Sequence, residues 1–226
     1  MDQSSVETAL ARAEEAVEAG RGVEKTRFWS AVARVKENPE LAERYADRIG
    51  VIDQRAFRNW VLLTVPLWLG TALMLAGTAL GLGLIWWAYA LDGWGAVVAF
   101  YSGLGALLVA THGLAHLLVG TMVGIGFTSW FIGSITRPQP GVKVDYASYL
   151  RARPERRAWM HASGAIVTKL IPFALLGAAI AADLPAWAVW GVVGIGVLAI
   201  VTDILWSARS SDWKRFRREM EFAQGS

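Results

Sequence analysis

The feature that most constrains the fold of this chain is a set of four long apolar blocks separated by polar segments. The blocks cover residues 60–87, 95–122, 158–182 and 187–206. Each is long enough to cross a bilayer, which takes roughly 20 residues of α-helix. We therefore predict an all-α membrane protein with four transmembrane helices.

Positively charged residues are distributed unevenly between these blocks. They cluster before the first block, between the second and third, and after the fourth, whereas the connections around Asp92 and Asp183 contain none. Because lysine and arginine are enriched in cytoplasmic segments, both termini of this multi-pass protein are predicted to be cytoplasmic. The basic residues are Arg44, Arg48, Arg55, Arg58, Arg137, Lys143, Arg151, Arg153, Arg156, Arg157, Arg209, Lys214, Arg215, Arg217 and Arg218.

Overall charge and cysteine content exclude several other classes of protein. The net charge of +3 is explained by these topology signals, so we predict the lipid bilayer as a partner and no nucleic acid. The chain contains no cysteine, which excludes disulfides, thiolate metal sites and thiol nucleophiles.

Three segments lie outside the apolar blocks. Residues 1–58 are predicted to form a cytoplasmic segment of two or three short amphipathic helices. This segment is too small to bury a large core alone, so we expect it to pack on the membrane domain, residues 59–207, or on a partner. Residues 208–226 are predicted to form a basic interfacial helix. The stretch of residues 124–150, which begins GIGFTSWFIGSI at Gly124, indicates a short interfacial hairpin or re-entrant strand pair, with a plain interfacial loop as the alternative.

Two of the three histidines, His112 and His116, lie four residues apart inside the second block. On a helix this spacing puts both imidazoles on one face, one turn apart. Polar groups inside a membrane are costly without partners, so the pair marks a candidate site. With the predicted topology, His161 and Asp203 fall in the same cytoplasmic half of the membrane.

Two imidazoles and one carboxylate are a common ligand set for catalytic zinc, and they leave one coordination position for water. We predict that His112, His116 and Asp203 bind a metal ion, with zinc preferred, although iron and manganese accept the same donors. In the alternative interpretation the two histidines form hydrogen bonds to neighbouring helices without a metal. Separately, Asp203 could be a residue at the end of its helix that pairs with Arg209. His161 is either a residue that orients a ligand or an interfacial residue.

Lys169 is a second polar residue at an apolar position. It lies about 12 Å deeper in the third block than His161, where a charge is expensive unless it is paired. Its predicted partner is Asp203 or a polar cavity.

Four elements of the sequence resemble the site-2 protease family of intramembrane zinc metalloproteases. THGLAHLLVG, which contains His112 and His116, is similar to the HExxH element of that family, and GIGFTSWFIGSI is similar to the strand-like segment that follows it. RAWMHASGAIVTKL resembles the small-residue motif of the next span, and IVTDILW puts Asp203 where the family has its aspartate ligand. The resemblance covers residues 60–207 and implies a site-2-protease-like core with zinc at these three ligands.

Gly113 stands where that family has the glutamate that acts as general base. General-base catalysis typically contributes a factor of about 10² to 10⁴ to a rate. We therefore expect a degenerate member, proteolytically weak or inactive, that binds or regulates a membrane partner such as a transmembrane protein or peptide segment. The enzyme alternative is a diverged intramembrane metallohydrolase in which His161 replaces the glutamate. Lys169 could then polarise a substrate carbonyl or simply neutralise Asp203. His161 and Lys169 are the candidate catalytic residues of this alternative.

Two further classes stay open at this point. One is a haem or redox membrane subunit with His112, His116 or His161 as axial ligands. The other is a metal-free scaffold or transport subunit whose glycine-containing spans pack closely. Transport needs a polar pathway across the whole bilayer, and the outer halves of the predicted spans contain almost no polar residues.

Overall fold

The computed structural model of the protein describes residues 2–134, 140–205 and 211–224. Two of the basic residues used to predict the topology, Arg137 and Arg209, lie outside these ranges. The predicted pairing of Arg209 with Asp203 and the predicted end of the fourth span at Trp206 therefore also lie outside the described residues. The elements in chain order are α1 (Gln3–Glu18), α2 (Phe28–Lys36), α3 (Pro39–Trp60), β1 (Leu63–Pro66), α4 (Leu67–Ala88), α5 (Gly93–Met122), β2 (Phe127–Ile132), β3 (Pro140–Val144), α6 (Tyr146–Arg151), α7 (Pro154–Ala174), α8 (Leu176–Ala181), α9 (Ala186–Leu205) and α10 (Asp212–Gln224).

These elements form two compact units. The first unit contains Met1–Leu67, Gly120–Ala158 and Arg217–Ser226, and the second contains Trp68–Val119 and Trp159–Phe216. The helix α10 begins in the second unit and ends in the first.

The first unit buries a core that is built from the amphipathic helices α1, α2 and α3. Leu10, Phe28 and Ile49 are fully buried in this core, and Leu150 of α6 joins them. The apolar residues of each helix recur at a spacing close to 3.6, so one face of each helix is removed from water. The predicted amphipathic helices of residues 1–58 are thus present, and α6 supplies part of the surface on which they pack.

A three-stranded antiparallel sheet completes the first unit, in the order β1-β2-β3. The predicted strand pair is confirmed, since β2 pairs with β3 antiparallel. The strand β1 was not predicted: residues 60–66 were assigned to the first span, whereas α4 begins only at Leu67. A short apolar run next to a span cannot be distinguished from helix by hydropathy alone. The prediction of an all-α protein is accordingly wrong in this detail, and the protein is mostly helical with one small sheet.

A buried ionic cluster fixes the C-terminal half of α10 within the first unit. The carboxylate of Glu219 accepts hydrogen bonds from Arg157 Nε at 2.6 Å and from the Tyr149 hydroxyl at 2.7 Å, and it also pairs with Lys36. Burial alone would raise the pKa of Glu219, but the charges of Lys36 and Arg157 outweigh it and lower this pKa below its ordinary value. The cluster therefore holds an ionised carboxylate in the interior.

The second unit contains the long apolar helices. In the described part of the chain, four helices are long and apolar enough to cross a membrane: Leu67–Ala88, Gly93–Met122, Pro154–Ala181 and Ala186–Asp203. The third of these is interrupted between α7 and α8, and Pro172 lies inside α7 shortly before the interruption. The length and composition of these helices support a multi-pass membrane protein.

The exterior of this unit is apolar, as expected for a surface that faces lipid. Trp68, Trp86, Trp94 and Trp190 are each at least 72% exposed, although tryptophan is usually well buried in water-soluble proteins. Inside the unit, Phe100, Leu104 and Val192 are among the residues that form a buried cluster. Glycines at the crossing of α4 and α5 let the two backbones approach closely, since a Cβ at Gly103 would lie 2.6 Å from the carbonyl oxygen of Gly81.

Candidate metal centre

The helix α5 presents His112 and His116 on one face, as the sequence predicted. Their Nε2 atoms lie 3.3 Å apart, and the two rings are perpendicular, with centroids 4.8 Å apart. The two Nε2 atoms therefore point to the same small volume. Two axial ligands of one haem bind on opposite faces of the porphyrin, so this geometry excludes the pair as the axial ligands of a single haem.

The orientation of His116 is fixed by a backbone carbonyl of α7. Its Nδ1 lies 2.7 Å from the carbonyl oxygen of Met160. Because a carbonyl oxygen only accepts hydrogen bonds, Nδ1 carries the proton. In the neutral imidazole the lone pair is then on Nε2, which is the atom that points toward His112. This arrangement is the usual one for a metal-binding histidine, whose second nitrogen is oriented by an acceptor outside the metal site.

The close approach of α7 to His116 depends on a glycine. A Cβ added at Gly164 would lie 2.4 Å from His116 Nε2 and 2.7 Å from Cε1, which is far inside van der Waals contact. Position 164 is therefore restricted to glycine as long as His116 keeps this rotamer. The small-residue segment around Gly164 thus serves to bring the carbonyl of Met160 and the imidazole of His116 together.

Asp212, the first residue of α10, completes the cluster. Its Oδ2 atom lies 3.2 Å from His112 Nε2 and 3.3 Å from His116 Nε2. Burial alone would raise the pKa of Asp212, but its contacts with the two imidazoles outweigh burial and lower this pKa well below its ordinary value. The site lies at the edge of the protein interior, since the side chains of His112, His116 and Asp212 are 40%, 12% and 20% exposed.

The structure brings Asp212, and not the predicted Asp203, to the histidine pair. The carboxylate of Asp203 forms an ion pair with Lys169, whose Nζ also donates to the carbonyl oxygen of Ala165 at 3.2 Å. The predicted partner of Lys169 was either Asp203 or a polar cavity, and in the structure Lys169 pairs with Asp203. A lysine at this depth needs a counter-ion, and this pairing explains why the carboxylate of Asp203 is engaged away from the histidines.

His161, the other predicted catalytic residue, lies on α7 directly after Met160 and is 8% exposed. Among the described residues, the group of three ligand-type side chains close enough to hold one ion is His112, His116 and Asp212, and His161 is not a member. Gly113, the residue in place of the family glutamate, is buried on α5 beside His112.

Asp212 was missed for a definite reason. Within the predicted spans, Asp203 is the single acidic residue. Asp212 lies after the last predicted span, and hydropathy gives no signal that a carboxylate from that segment contacts the histidine pair. Its position at the start of an amphipathic helix, in SSDWKRF, looks like an ordinary acidic residue in the first helical turn.

No family model, no curated protein and no solved structure matches this chain. The assignment of function accordingly depends on the geometry described above.

Proposed function

We propose that this protein is an integral membrane protein that binds one divalent metal ion, zinc, through His112, His116 and Asp212. The observation that supports this is the triangle of ligand atoms, whose three edges measure 3.2, 3.3 and 3.3 Å. Zinc–ligand distances of about 2.0–2.1 Å in a tetrahedron give ligand–ligand distances of about 3.3–3.4 Å. Two lone-pair donors and a carboxylate at such distances repel one another unless a cation or a proton lies between them.

The donor set favours zinc over other metals. Neutral imidazole and carboxylate also accept iron(II) and manganese(II), but three protein ligands with one open position are typical of catalytic zinc. Bound here, zinc would supply Lewis-acid chemistry, which polarises water or a carbonyl group. The protein contributes the oriented ligands, with the Met160 carbonyl fixing the tautomer of His116.

We also propose a relationship to the site-2 protease family in a form that has lost most of its peptidase activity. The support is an HxxxH pair on an apolar helix, followed by the strands β2 and β3, with Gly113 where the family has its general base. Such a protein would act as a binding or regulatory membrane subunit for a transmembrane protein or peptide segment. Both termini are proposed to be cytoplasmic, because the basic segments lie on the side of the termini.

Zinc titration against a chromophoric chelator, with the protein purified in detergent, tests the metal site. His116→Ala is expected to lower the zinc affinity at least about 100-fold, because it removes one of three protein ligands. His161→Ala is the matched control, since it truncates another buried histidine outside the ligand triangle, and its affinity should equal that of the wild type. Equal zinc binding by His116→Ala and the wild type would overturn the proposal.

Cleavage of a transmembrane reporter segment in nanodiscs tests the proposed loss of activity. Wild type is expected to cleave no faster than His116→Ala. Gly113→Glu supplies the missing carboxylate and is expected to raise the rate, with general-base catalysis worth about 10² to 10⁴. Cleavage by wild type that is abolished in His161→Ala would instead favour the diverged hydrolase in which His161 replaces the glutamate.

A further inference from the structure

The helix α10 carries an exposed basic face opposite to the face that bears Asp212. Lys214, Arg215, Arg217 and Arg218 are all exposed, and at 100° per residue they cover one side of the helix. Asp212, Phe216 and Glu219 lie on the other side, where Asp212 contacts the histidine pair and Glu219 is buried. One acid, Glu221, lies on the basic face, so that face has a net charge of +3.

The four cations of this face have no acidic partner among the described residues. Other arginines of the protein do: Arg48 pairs with Glu7 and Glu14, and Arg151 pairs with Asp47. A helix face that is merely solvated usually carries interspersed opposite charges. A concentrated, unpaired positive face indicates an anionic partner instead.

The start of α10 is fixed at the depth of the membrane interface. Asp212 contacts His116, which is six residues, or about 9 Å, from the end of α5 at Met122. The 30 residues of α5 are about 45 Å long and exceed the roughly 30 Å hydrocarbon core. The last turns of α5, and with them the first turn of α10, therefore lie near the lipid headgroups.

Aromatic residues at the same place fit an interfacial location. The ring of Trp213 stacks on Phe216 with centroids 5.0 Å apart, and Phe216 contacts Trp159, whose centroid is 5.7 Å away. Trp159 is 55% exposed. Tryptophan is enriched where one end of the side chain is apolar and the other is hydrated, as in the headgroup layer.

We propose that the basic face of α10 is a docking surface for anionic lipid headgroups, and that this docking holds Asp212 at the histidine pair. The first part depends only on the charge and depth of α10. The second part rests on the proposed metal site, because it makes zinc affinity depend on the lipid composition of the bilayer.

The test uses the full chain in nanodiscs of either neutral phosphatidylcholine or a mixture with anionic phosphatidylglycerol. Since the chain has no cysteine, Glu221→Cys gives a single site on the basic face for a fluorophore. Quenching by a nitroxide on the lipid headgroup reports docking without any metal, and chelator competition reports zinc affinity in the same nanodiscs.

Two triple variants separate the basic face from charge in general. Lys214→Gln/Arg215→Gln/Arg218→Gln removes three cations of the basic face of α10. The matched control, Arg12→Gln/Arg21→Gln/Lys25→Gln, removes three exposed cations of the first unit.

For the protein with the wild-type basic face and for the matched control, quenching is expected to be stronger in anionic than in neutral nanodiscs. Zinc binding by these two proteins is expected to be at least about tenfold tighter in anionic than in neutral nanodiscs. Both effects should be lost in the α10 triple variant. Quenching that is equal in neutral and anionic nanodiscs would overturn lipid docking. Lipid-dependent quenching with unchanged zinc affinity would overturn the coupling to Asp212. Absence of zinc binding in every nanodisc would overturn the proposed function, and with it the coupling between lipid docking and zinc affinity. The quenching data would still show whether α10 docks on anionic headgroups.

Discussion

At the scale of single residues, His116 decides whether the cluster can hold a metal ion. One of its ring nitrogens donates to the carbonyl of Met160, so the other is left to accept or to coordinate. The approach that makes this hydrogen bond possible leaves no room for a side chain at position 164. The geometry of the proposed metal site therefore depends on a residue that has no side-chain donor atom.

Gly164→Ala is expected to lower the zinc affinity about 10- to 100-fold, as is typical for changes that disturb the orientation of a metal-binding histidine. The added methyl group would lie 2.4 Å from Nε2, so His116 must leave its rotamer. Gly105→Ala on α5 is the matched control, because nothing lies within 4 Å of its Cβ position. Zinc titration of both variants checks the prediction, and a Gly164→Ala protein that binds zinc as wild type does would contradict it.

The residues of the site differ in how well the sequence predicted them. The i, i+4 spacing inside an apolar block was sufficient for His112 and His116, because helix geometry puts such residues on one face. The third member of the cluster, Asp212, was not predictable in this way. Asp203 had the right depth, but Lys169 neutralises it, and the contact of Asp212 arises from a helix that follows the last span.

At the scale of secondary-structure elements, α10 is held at two points of its length. Asp212 contacts the histidine pair, and seven residues later Glu219 accepts hydrogen bonds from Tyr149 and Arg157. Seven residues are about two helical turns, so both acids lie on the same side of the helix.

Glu219→Gln is expected to destabilise the protein by about 3–5 kcal/mol at neutral pH, because it leaves buried cations without a counter-charge. The lowered pKa of Glu219 means that its stabilisation is complete above the unfolded-state pKa and is lost as pH falls through the lower folded-state value. The difference in thermal midpoint between wild type and variant should therefore shrink as pH falls below about 4.5.

Thermal unfolding of both proteins in nanodiscs from neutral to acidic pH measures this difference. Glu221→Gln is the matched control, since Glu221 lies two residues away on the same helix but is exposed. The free energy of unfolding of Glu221→Gln should stay within about 0.5 kcal/mol of the wild-type value. A wild type–Glu219→Gln difference that is independent of pH would show that the carboxylate is not ionised in the folded state.

The elements themselves were predictable to different degrees. Long apolar runs and amphipathic periodicity located the helices, because both depend on burial along many residues. The strand β1 was assigned to the first span because its residues Leu63 and Val65 continue the apolar run. Its pairing with β2 is a long-range contact, which no local pattern contains.

At the scale of the whole molecule, the four apolar helices and the distribution of basic residues determine the expected topology. If the four apolar helices of the described residues each cross the membrane once, the chain returns to its starting side, and we propose that both termini share that side. The connections around Asp92 and Asp183 contain no lysine or arginine, so the positive-inside rule predicts them on the opposite side.

Labelling of single cysteines with a membrane-impermeant maleimide checks this topology in intact cells. Asp92→Cys is expected to react without permeabilisation, whereas Ser4→Cys and Glu221→Cys should react only after it. All three positions are exposed on the protein, so differences in labelling report the side of the membrane. Labelling of Ser4→Cys and Asp92→Cys under the same conditions would contradict four crossings with both termini inside.

We propose that Asp212 joins His112 and His116 as a metal ligand, while Asp203 forms an ion pair with Lys169. Elemental mass spectrometry of the purified wild type, Asp212→Asn and the charge-neutral pair variant Lys169→Gln/Asp203→Asn tests it most directly. We predict about one zinc per chain in wild type and in the pair variant, and loss of zinc in Asp212→Asn. Zinc retained in Asp212→Asn but lost in the pair variant, or no metal in the wild type, would contradict the account.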